Sequence, residues 1–243
     1  MTKAEKKHIK QLQSKKYRKE SGNFLVEGLK SIQDFLQAGF EAEKIYSTTD
    51  FTIKNAKNYP VEIIDEKTLR QISLLKNPKD ALGIFKIPKA RQLPDENLIL
   101  ALDNLQDPGN LGTIIRTADW FGIKHIVCSY GTVDCYNPKV VQATMGSLAN
   151  VQVHYTGLKQ FLTTTKLPVF GTFLNGKNIY KTKLPDEAVI VIGNEGNGIR
   201  NEIKILIKNK LYIPKQADSK AESLNAALAT AIVISEFRKK YFL

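Results

Sequence analysis

From residue 98 onward the chain is punctuated by short runs in which almost every residue is apolar. LILAL at 98–102 and VIVI at 189–192 are the plainest, and further strand-length segments, several of them apolar throughout, fall at 125–128, 151–154, 169–173 and 211–213. A strand with water on one face alternates apolar with polar side chains. A continuous apolar run of strand length therefore needs cover on both faces. Helix-period segments separate the runs, at 111–121, 138–148, 158–165, 199–207 and 224–241. Strands alternating with helices predict an α/β fold with a mostly parallel, doubly covered sheet.

The front of the chain reads as a smaller α/β unit. Residues 4–19 suggest a basic helix with little apolar face beyond Ile9 and Leu12. Phe24, Leu25 and Val26 form a short strand, and Leu29, Ile32, Phe35 and Leu36 share one helix face ended by Gly39. Strands at 44–47, 61–64 and 82–87, with a helix opened by the N-cap Asp65, complete the unit. Residues 88–96 hold two prolines and no apolar period, which marks a linker. The expected division is 1–92 and 93–243.

Charge is spread unevenly over these parts. The 243 residues carry a formal net charge of +12. Residues 1–92 hold 19 Lys and Arg against 11 Asp and Glu, and the first 20 residues alone hold eight basic side chains and two acidic ones. Such a balance fits a polyanionic partner or a lysine-rich solvated surface. A basic front on a more neutral back suggests that one part grips phosphates while the other does something more specific. No apolar run reaches 18 residues, so no membrane span is expected, and no apolar stretch follows the N-terminal lysines to make a secretory signal. A cytoplasmic location is the expectation. Cys128 and Cys135 have no zinc spacing, and His8, His125 and His154 are scattered, so no metal site is expected.

In open α/β sheets ligands bind beyond the carboxyl ends of the strands. The run at 98–102 is followed by Asp103-Asn104-Leu105-Gln106-Asp107-Pro108-Gly109-Asn110, which is neither GxGxxG nor GK[ST]. A nicotinamide cofactor and a nucleotide-triphosphate loop both lose support. Asn110 is placed to cap a helix start. Arg116, flanked by Ile114, Ile115 and Ala118, carries a planar fork of donors suited to a phosphate, or to an ordinary ion pair. The run at 189–192 leads into Gly193-Asn194-Glu195-Gly196-Asn197-Gly198. Its glycines allow close approach to a ligand, and Glu195 is either a proton acceptor or a charge complement to the following helix. After 211–213 a polar loop reaches Ser223-Leu224-Asn225 and an alanine-rich helix, with Ser223 a natural N-cap.

Taken together, DNLQDPGNLGTIIRTADWFGI, VIGNEGNGI and IPKQADSKAESLNAALATAI resemble the three signature motifs of the SpoU/TrmH family of RNA 2′-O-ribose methyltransferases, within the SPOUT superfamily. Lys16-Tyr17-Arg18 and Phe24-Leu25-Val26-Glu27-Gly28 are similar to that family's substrate-binding domain. The resemblance implies a C-terminal deep trefoil knot, an exception among chain topologies. It also implies a homodimer with sites near the subunit interface, and S-adenosylmethionine as cofactor. Cofactor contacts are implied at Thr172, Gly193, Ile213 and Leu224. Asn110, Arg116, Glu195, Ser223 and Asn225 are implied around the reacting ribose. The sequence departs from the family at Lys215-Gln216-Ala217, where Met and a glycine are usual, and at Ala226 in place of valine.

The family proposal makes the equivalent of Arg116 the base that takes the ribose proton. A guanidinium keeps its proton at ordinary pH, so Arg116 reads better as a partner for the neighbouring phosphate. The proton then leaves through Glu195, Ser223 or water. Structured RNA is the expected substrate, with a guanosine of large-subunit ribosomal RNA preferred. The alternatives are a transfer RNA methylase or a non-catalytic RNA-binding protein of the same fold.

Overall fold

The computed structural model describes residues 1–50, 59–78, 80–89, 92–93 and 98–242. The chain groups into two compact units, one of Met1–Ala90 with Asp134–Asn150, the other of Arg91–Val133 with Val151–Leu243. The segment 134–150 therefore groups with the front of the chain, which a single cut along the sequence does not express. Of the expected linker, residues 88, 89, 92 and 93 have no regular structure, and 90, 91 and 94–96 lie outside the described residues.

The first unit opens with α1 (Lys3–Gln11) and α2 (Lys15–Ser21). The single helix expected over 4–19 is thus broken at residues 12–14. The cause is Arg18, which is 1% exposed. Its Nη1 donates to the carbonyls of Leu12 and Gln13, both at 2.8 Å. In a continuous helix those carbonyls would accept from backbone N–H groups four residues on. The rest of the guanidinium meets Asp134, with Nε at 3.1 Å and Nη2 at 2.6 Å from Oδ2. Gly22, at φ 69°, ends α2 in the left-handed region that a side chain would disfavour.

Then come β1 (Asn23–Glu27), α3 (Leu29–Gln37), β2 (Ala42–Ser47), β3 (Val61–Ile63), α4 (Glu66–Ile72) and β4 (Ala81–Lys86). The sheet order is β1-β4-β2-β3. β4 runs antiparallel to β1 and β2, and β3 parallel to β2. Ile9 and Leu12 pack with Leu25, Tyr46, Leu69, Leu82 and Ile84 in one core cluster. Phe24 meets Phe35, Phe85 and, at 4.6 Å between ring centroids, Tyr136 from the segment 134–150.

The second unit holds β5 (Leu98–Leu102), α5 (Pro108–Trp120) and β6 (His125–Ser129). The chain then enters the first unit for α6 (Pro138–Thr144). It returns through β7 (Gln152–Thr156), α7 (Leu158–Thr164), β8 (Val169–Asn178), β9 (Ala188–Ile192), α8 (Asn201–Lys204), β10 (Asn209–Tyr212) and α9 (Ala226–Arg238). The six strands are ordered β10-β8-β9-β5-β6-β7, and every neighbouring pair is parallel. The all-buried patterns of β5 and β9 agree with cover on both faces. α8 is shorter than the expected 199–207: Leu206 and Ile207 donate to residues three back, giving tight turns, and the branched Ile203, Ile205 and Ile207 disfavour a longer helix. β8 is longer than expected, because its register against β10 jumps from Gly171 to Lys177 and pairing resumes there.

β5 has β6 on one side and β9 on the other. The chain leaves β5 in one direction and later fills the opposite side, so the strand order reverses there. The carboxyl ends of β5 and β9 border the crevice where such sheets hold ligands.

Removing one partner of a buried ion pair strands the other charge. Arg18→Ala is expected to cost the first unit about 3–5 kcal/mol in urea unfolding, and Arg18→Met with Asp134→Leu much less. Equal losses for the single and double variants would contradict the role given to this pair.

Candidate active site

The site starts from the loop after β5. Asp103 is 0% exposed; its N–H donates to the Ile192 carbonyl at 2.8 Å, which ties the ends of β5 and β9. Asn104 adopts φ 58°, and its N–H donates to Ser129 Oγ at 2.8 Å. Asp107 then caps α5, accepting from the Asn110 N–H at 2.7 Å, with Pro108 in the first turn. This delivers the Asn110 side chain, which is 9% exposed, inward at the start of the helix.

The Asn110 amide joins two distant loops. Its Nδ2 donates to Glu195 Oε1 at 3.0 Å, and its Oδ1 accepts from Asn225 Nδ2 at 2.8 Å. Asn225 in turn caps α9, with Oδ1 accepting from the N–H groups of Ala227 at 2.9 Å and Leu228 at 3.2 Å. Glu195 Oε1 also accepts from the Asp107 N–H at 3.1 Å. Its Oε2 accepts from the Gln106 N–H at 3.3 Å and from Asn194 Nδ2 at 3.2 Å.

The loop that carries Glu195 is closed on itself. Asn194 and Gly198 exchange backbone hydrogen bonds of 2.9 and 3.0 Å, and Asn194 Oδ1 accepts from the N–H groups of Gly196 and Asn197. A Cβ on Gly193 would lie 2.3 Å from the Gly198 carbonyl carbon, so glycine is required by the chain's own return. Asn194 Nδ2 reaches the Asn104 carbonyl at 2.8 Å. Asp103 accepts from the backbone N–H and Nε of Arg200, both at 2.8 Å, and fixes the far end of the loop.

Partial burial pushes the Glu195 carboxyl up. The bonds from Asn110 and from backbone N–H groups outweigh it and hold the carboxyl below its ordinary value. Glu195 is therefore an ionised acceptor with both oxygens engaged, which makes it a weak base.

The structure brings together Asn110, Glu195 and Asn225. It does not bring Arg116 or Ser223 into that network. Arg116 is exposed and makes no hydrogen bond or ion pair among the described residues. It lies six residues beyond Asn110, about 9 Å along the helix axis and on a different face. It shares an exposed stripe with Thr113 and Trp120, the latter 84% exposed. Ser223 is exposed, and the cap expected of it is made by Asn225. The four expected cofactor positions are arranged more simply. Gly171 pairs with both Val191 and Lys210, so Thr172 and Gly193 share the carboxyl edge of adjacent parallel strands, and Ile213 follows the last residue of β10. Leu224, 48% exposed, precedes the Asn225 cap.

Sequence reasoning missed Asp103, Asn194, Ser129 and Arg200. A carboxylate placed directly after a fully apolar strand was the available signal for Asp103. The other three depend on partners across the fold. Among the described residues no group of three or more His, Cys, Asp and Glu is placed to hold a metal, and no helix is long and apolar enough to cross a membrane.

A parallel sheet whose loops are joined by a side-chain network at its order reversal defines an open α/β protein with a ligand crevice there, and comparison supplies the class. Residues 97–235 match the SpoU rRNA Methylase family, and residues 4–83 match the MRM3-like substrate binding domain. The chain belongs to the SpoU rRNA methylase family. It is 29% identical over 238 residues to the 23S rRNA (guanosine(2553)-2′-O)-methyltransferase RlmP of Bacillus subtilis, covering 96% of this chain and 95% of that one. A structure from Porphyromonas gingivalis, assigned to the TrmH family of RNA methyltransferases, superposes with a TM-score of 0.90 at 36% identity and covers 99% of both chains. An AdoMet-bound rRNA methyltransferase from Sinorhizobium meliloti superposes at 0.85 with 30% identity, over 99% of this chain and 96% of that one.

The depressed Glu195 carboxyl gives a signed expectation. Its contribution to loop stability is fully present above the unfolded-state carboxylate value and is lost as pH falls through the lower folded value. Carbon-13 NMR of the side chain should show a midpoint below that of a free glutamate. Asn110→Ala should raise it, since the desolvation stays while a donor is lost. An unchanged midpoint in that variant would contradict the network.

Proposed function

We propose that this chain methylates a ribose 2′-hydroxyl of ribosomal RNA, with a guanosine of the large subunit as the target. The observation that carries the reading is the Asn110 amide, which joins the loops after β5 and β9 to the start of α9. The named relative acts on a guanosine ribose of 23S rRNA and spans the same length of chain. The match of the front residues to a substrate-binding domain favours ribosomal RNA over transfer RNA.

The residues present fit the cofactor. Gly193 and Ile213 follow β9 and β10, Thr172 lies within β8 between them just past its pairing with β9, and Leu224 adds an apolar side chain at the head of α9. Backbone groups and apolar walls suit a sulfonium donor that must be held without a strong anion. S-Adenosylmethionine, when bound, supplies the electrophilic methyl group.

The chain's own residues do the rest. Glu195, ionised and saturated with donors, holds the loops at 104–110 and 193–198 in place rather than taking the ribose proton. Asn110 and Asn225 fix the head of α9. Arg116 presents its guanidinium to the phosphate beside the target ribose, and the hydroxyl proton leaves to solvent through water, directly or relayed by the Ser223 hydroxyl as it gives up its own proton. Orientation of this kind can offset about 7–11 kcal/mol of a barrier in favourable cases. The lysines of α1 and α2 would hold RNA phosphates, which makes residues 1–92 the RNA-binding part and 93–243 the methyl-transferring part.

The same reading includes a homodimer, a C-terminal trefoil knot and a cytoplasmic location. For the dimer the support is the exposed stripe of Arg116 and Trp120, with Leu228 of the adjoining α9 59% exposed. For the knot it is the return of the chain after β10, which brings Asn225 to Asn110.

Calorimetry should show S-adenosylmethionine binding, and ribosomal RNA should accept its methyl group. Arg116→Ala is expected to lower the single-turnover rate about 100-fold with cofactor affinity unchanged. Arg116→Lys, which keeps the charge, should retain a measurable residue of that rate. Complete loss in the lysine variant with RNA binding intact would rule out a positioning role.

A further inference from the structure

The strand β6 ends in a tight turn with Tyr130 and Gly131 at its corner, closed by the Thr132 N–H donating to the Ser129 carbonyl at 2.9 Å. Ser129 and Thr132 are buried, and Tyr130 between them is 70% exposed. Its side chain has no hydrogen-bond or ring partner among the described residues. The turn itself is held firmly. Ser129 Oγ accepts from the Asn104 N–H at 2.8 Å, Thr132 Oγ1 donates to the Leu102 carbonyl at 3.2 Å, and the Val133 N–H donates to the Leu105 carbonyl at 2.8 Å. A Cβ on Gly131 would lie 2.1 Å from Asn104 Oδ1, so the turn lies directly against the loop that leads to Asn110. The fold thus fixes the backbone under an uncovered ring to the loop of the candidate site. A ring presented on so rigid a base engages a ligand at little cost in ordering.

Strand register sets where the ring stands. Leu102 of β5 pairs with Cys128 of β6 on one side and with Ile192 of β9 on the other. Tyr130, Asn104 and Asn194 each come two residues later in their chains, so the three share one level of the carboxyl edge. The expected cofactor positions Thr172, Gly193 and Ile213 belong to β8, β9 and β10, on the far side of β5 from Tyr130. Neighbouring strands lie about 4.8 Å apart, which puts the ends of β6 and β9 about 10 Å apart across β5. A sugar set over the loop 104–110, facing the cofactor side, leaves its base toward β6. Of the parts of a nucleotide, only the base offers a flat face to an aromatic ring; a phosphate would seek a cation such as Arg116.

We propose that Tyr130 is the platform on which the base of the target nucleotide stacks while its ribose is presented to the methyl donor. The inference rests on the RNA-methylation reading above and adds a substrate contact on the side of the crevice away from the cofactor. Bases in unpaired segments of RNA are the ones that can be splayed out and laid on an aromatic side chain. Every base has a π-face, so stacking tolerates any of the four. Tyr130 therefore fixes where the base lies and leaves the choice of base to other contacts.

The test compares Tyr130→Ala, Tyr130→Leu, Tyr130→Phe and Tyr130→Trp in the full chain. Methylation of ribosomal RNA is measured as kcat/KM, with the melting temperature and calorimetric affinity for S-adenosylmethionine alongside. The side chain has no partner among the described residues, so all four variants should melt as the unaltered protein does and bind the cofactor equally. In the alanine and leucine variants kcat/KM should fall about 5- to 100-fold, and the phenylalanine and tryptophan variants should keep most of it. Leucine separates the π-face from apolar cover of similar size. Unchanged kcat/KM in Tyr130→Ala overturns the assignment. So does a leucine variant as active as the phenylalanine one, or a loss in Tyr130→Phe as large as in Tyr130→Ala, which would assign the role to the hydroxyl. A fall in melting temperature or cofactor affinity that matches the loss of rate overturns it as well, since the residue would then be structural. Failure of the unaltered protein to methylate ribosomal RNA overturns the methylation reading, and the platform falls with it. Methylation indifferent to residue 130 overturns the platform alone.

Discussion

One side-chain amide sets the geometry of the catalytic half. Asn110 donates to Glu195 and accepts from Asn225, so a single residue at the head of α5 fixes a loop 85 residues away and a helix start 115 residues away. The chemistry leaves few substitutes. Aspartate would set a second carboxylate against Glu195, and a hydroxyl is too short to span both partners. Hydrogen bonds to charged groups are worth about 1.5–3 kcal/mol. Their larger effect here is to leave each loop one position. Glu195 gathers two backbone N–H groups and two side-chain amides, so the loop after β5 is shaped by a residue that follows β9.

That arrangement depends on the sheet beneath it. β5 and β9 are neighbours and wholly buried, and their ends are tied by the Asp103 N–H to the Ile192 carbonyl. Loops rooted in such a platform can hold polar groups at fixed spacing. The buried Asp103 carboxylate, paired with Arg200, extends the same logic to the far end of the glycine-rich loop. A buried carboxylate is tolerated because its lone pairs are met by a charged group and a backbone donor.

The parallel sheet was legible because its central strands β5 and β9 are continuous apolar runs, and the two site loops were legible because asparagine and glycine crowd the ends of those runs. What escaped was set by partners far away in the chain. The break at Leu12 depends on the Arg18 guanidinium, itself held by Asp134, 116 residues further on. Nothing near residue 12 announces it. The placement of residues 134–150 with the front unit is equally silent, since Pro138–Thr144 has the pattern of any helix in the second half. Glu195 was seen as an open choice between base and charge complement. Its engagement by Gln106, Asp107, Asn110 and Asn194 decides for an acceptor, and only the folded chain brings those donors together.

Arg116 stands on the surface where the proposed dimer would form. α5 and α9 run side by side in the same direction. Asn110 meets Asn225 at their heads, and at their ends the rings of Phe121 and Phe242 lie 6.1 Å apart. The outward surface of this pair shows Trp120, Leu228 and the unpaired Arg116 guanidinium. A tryptophan 84% exposed at the end of a well-packed helix is costly to leave in water, and the arginine beside it has no acceptor among the described residues. A second copy laid on this surface would bury the indole and place the guanidinium at a boundary between protomers. A substrate phosphate arriving there would find a charge that the fold has left unspent. The pair of helices thus carries both needs on one surface, apolar area that wants cover and a cation that wants an anion, and the proposed dimer would meet both.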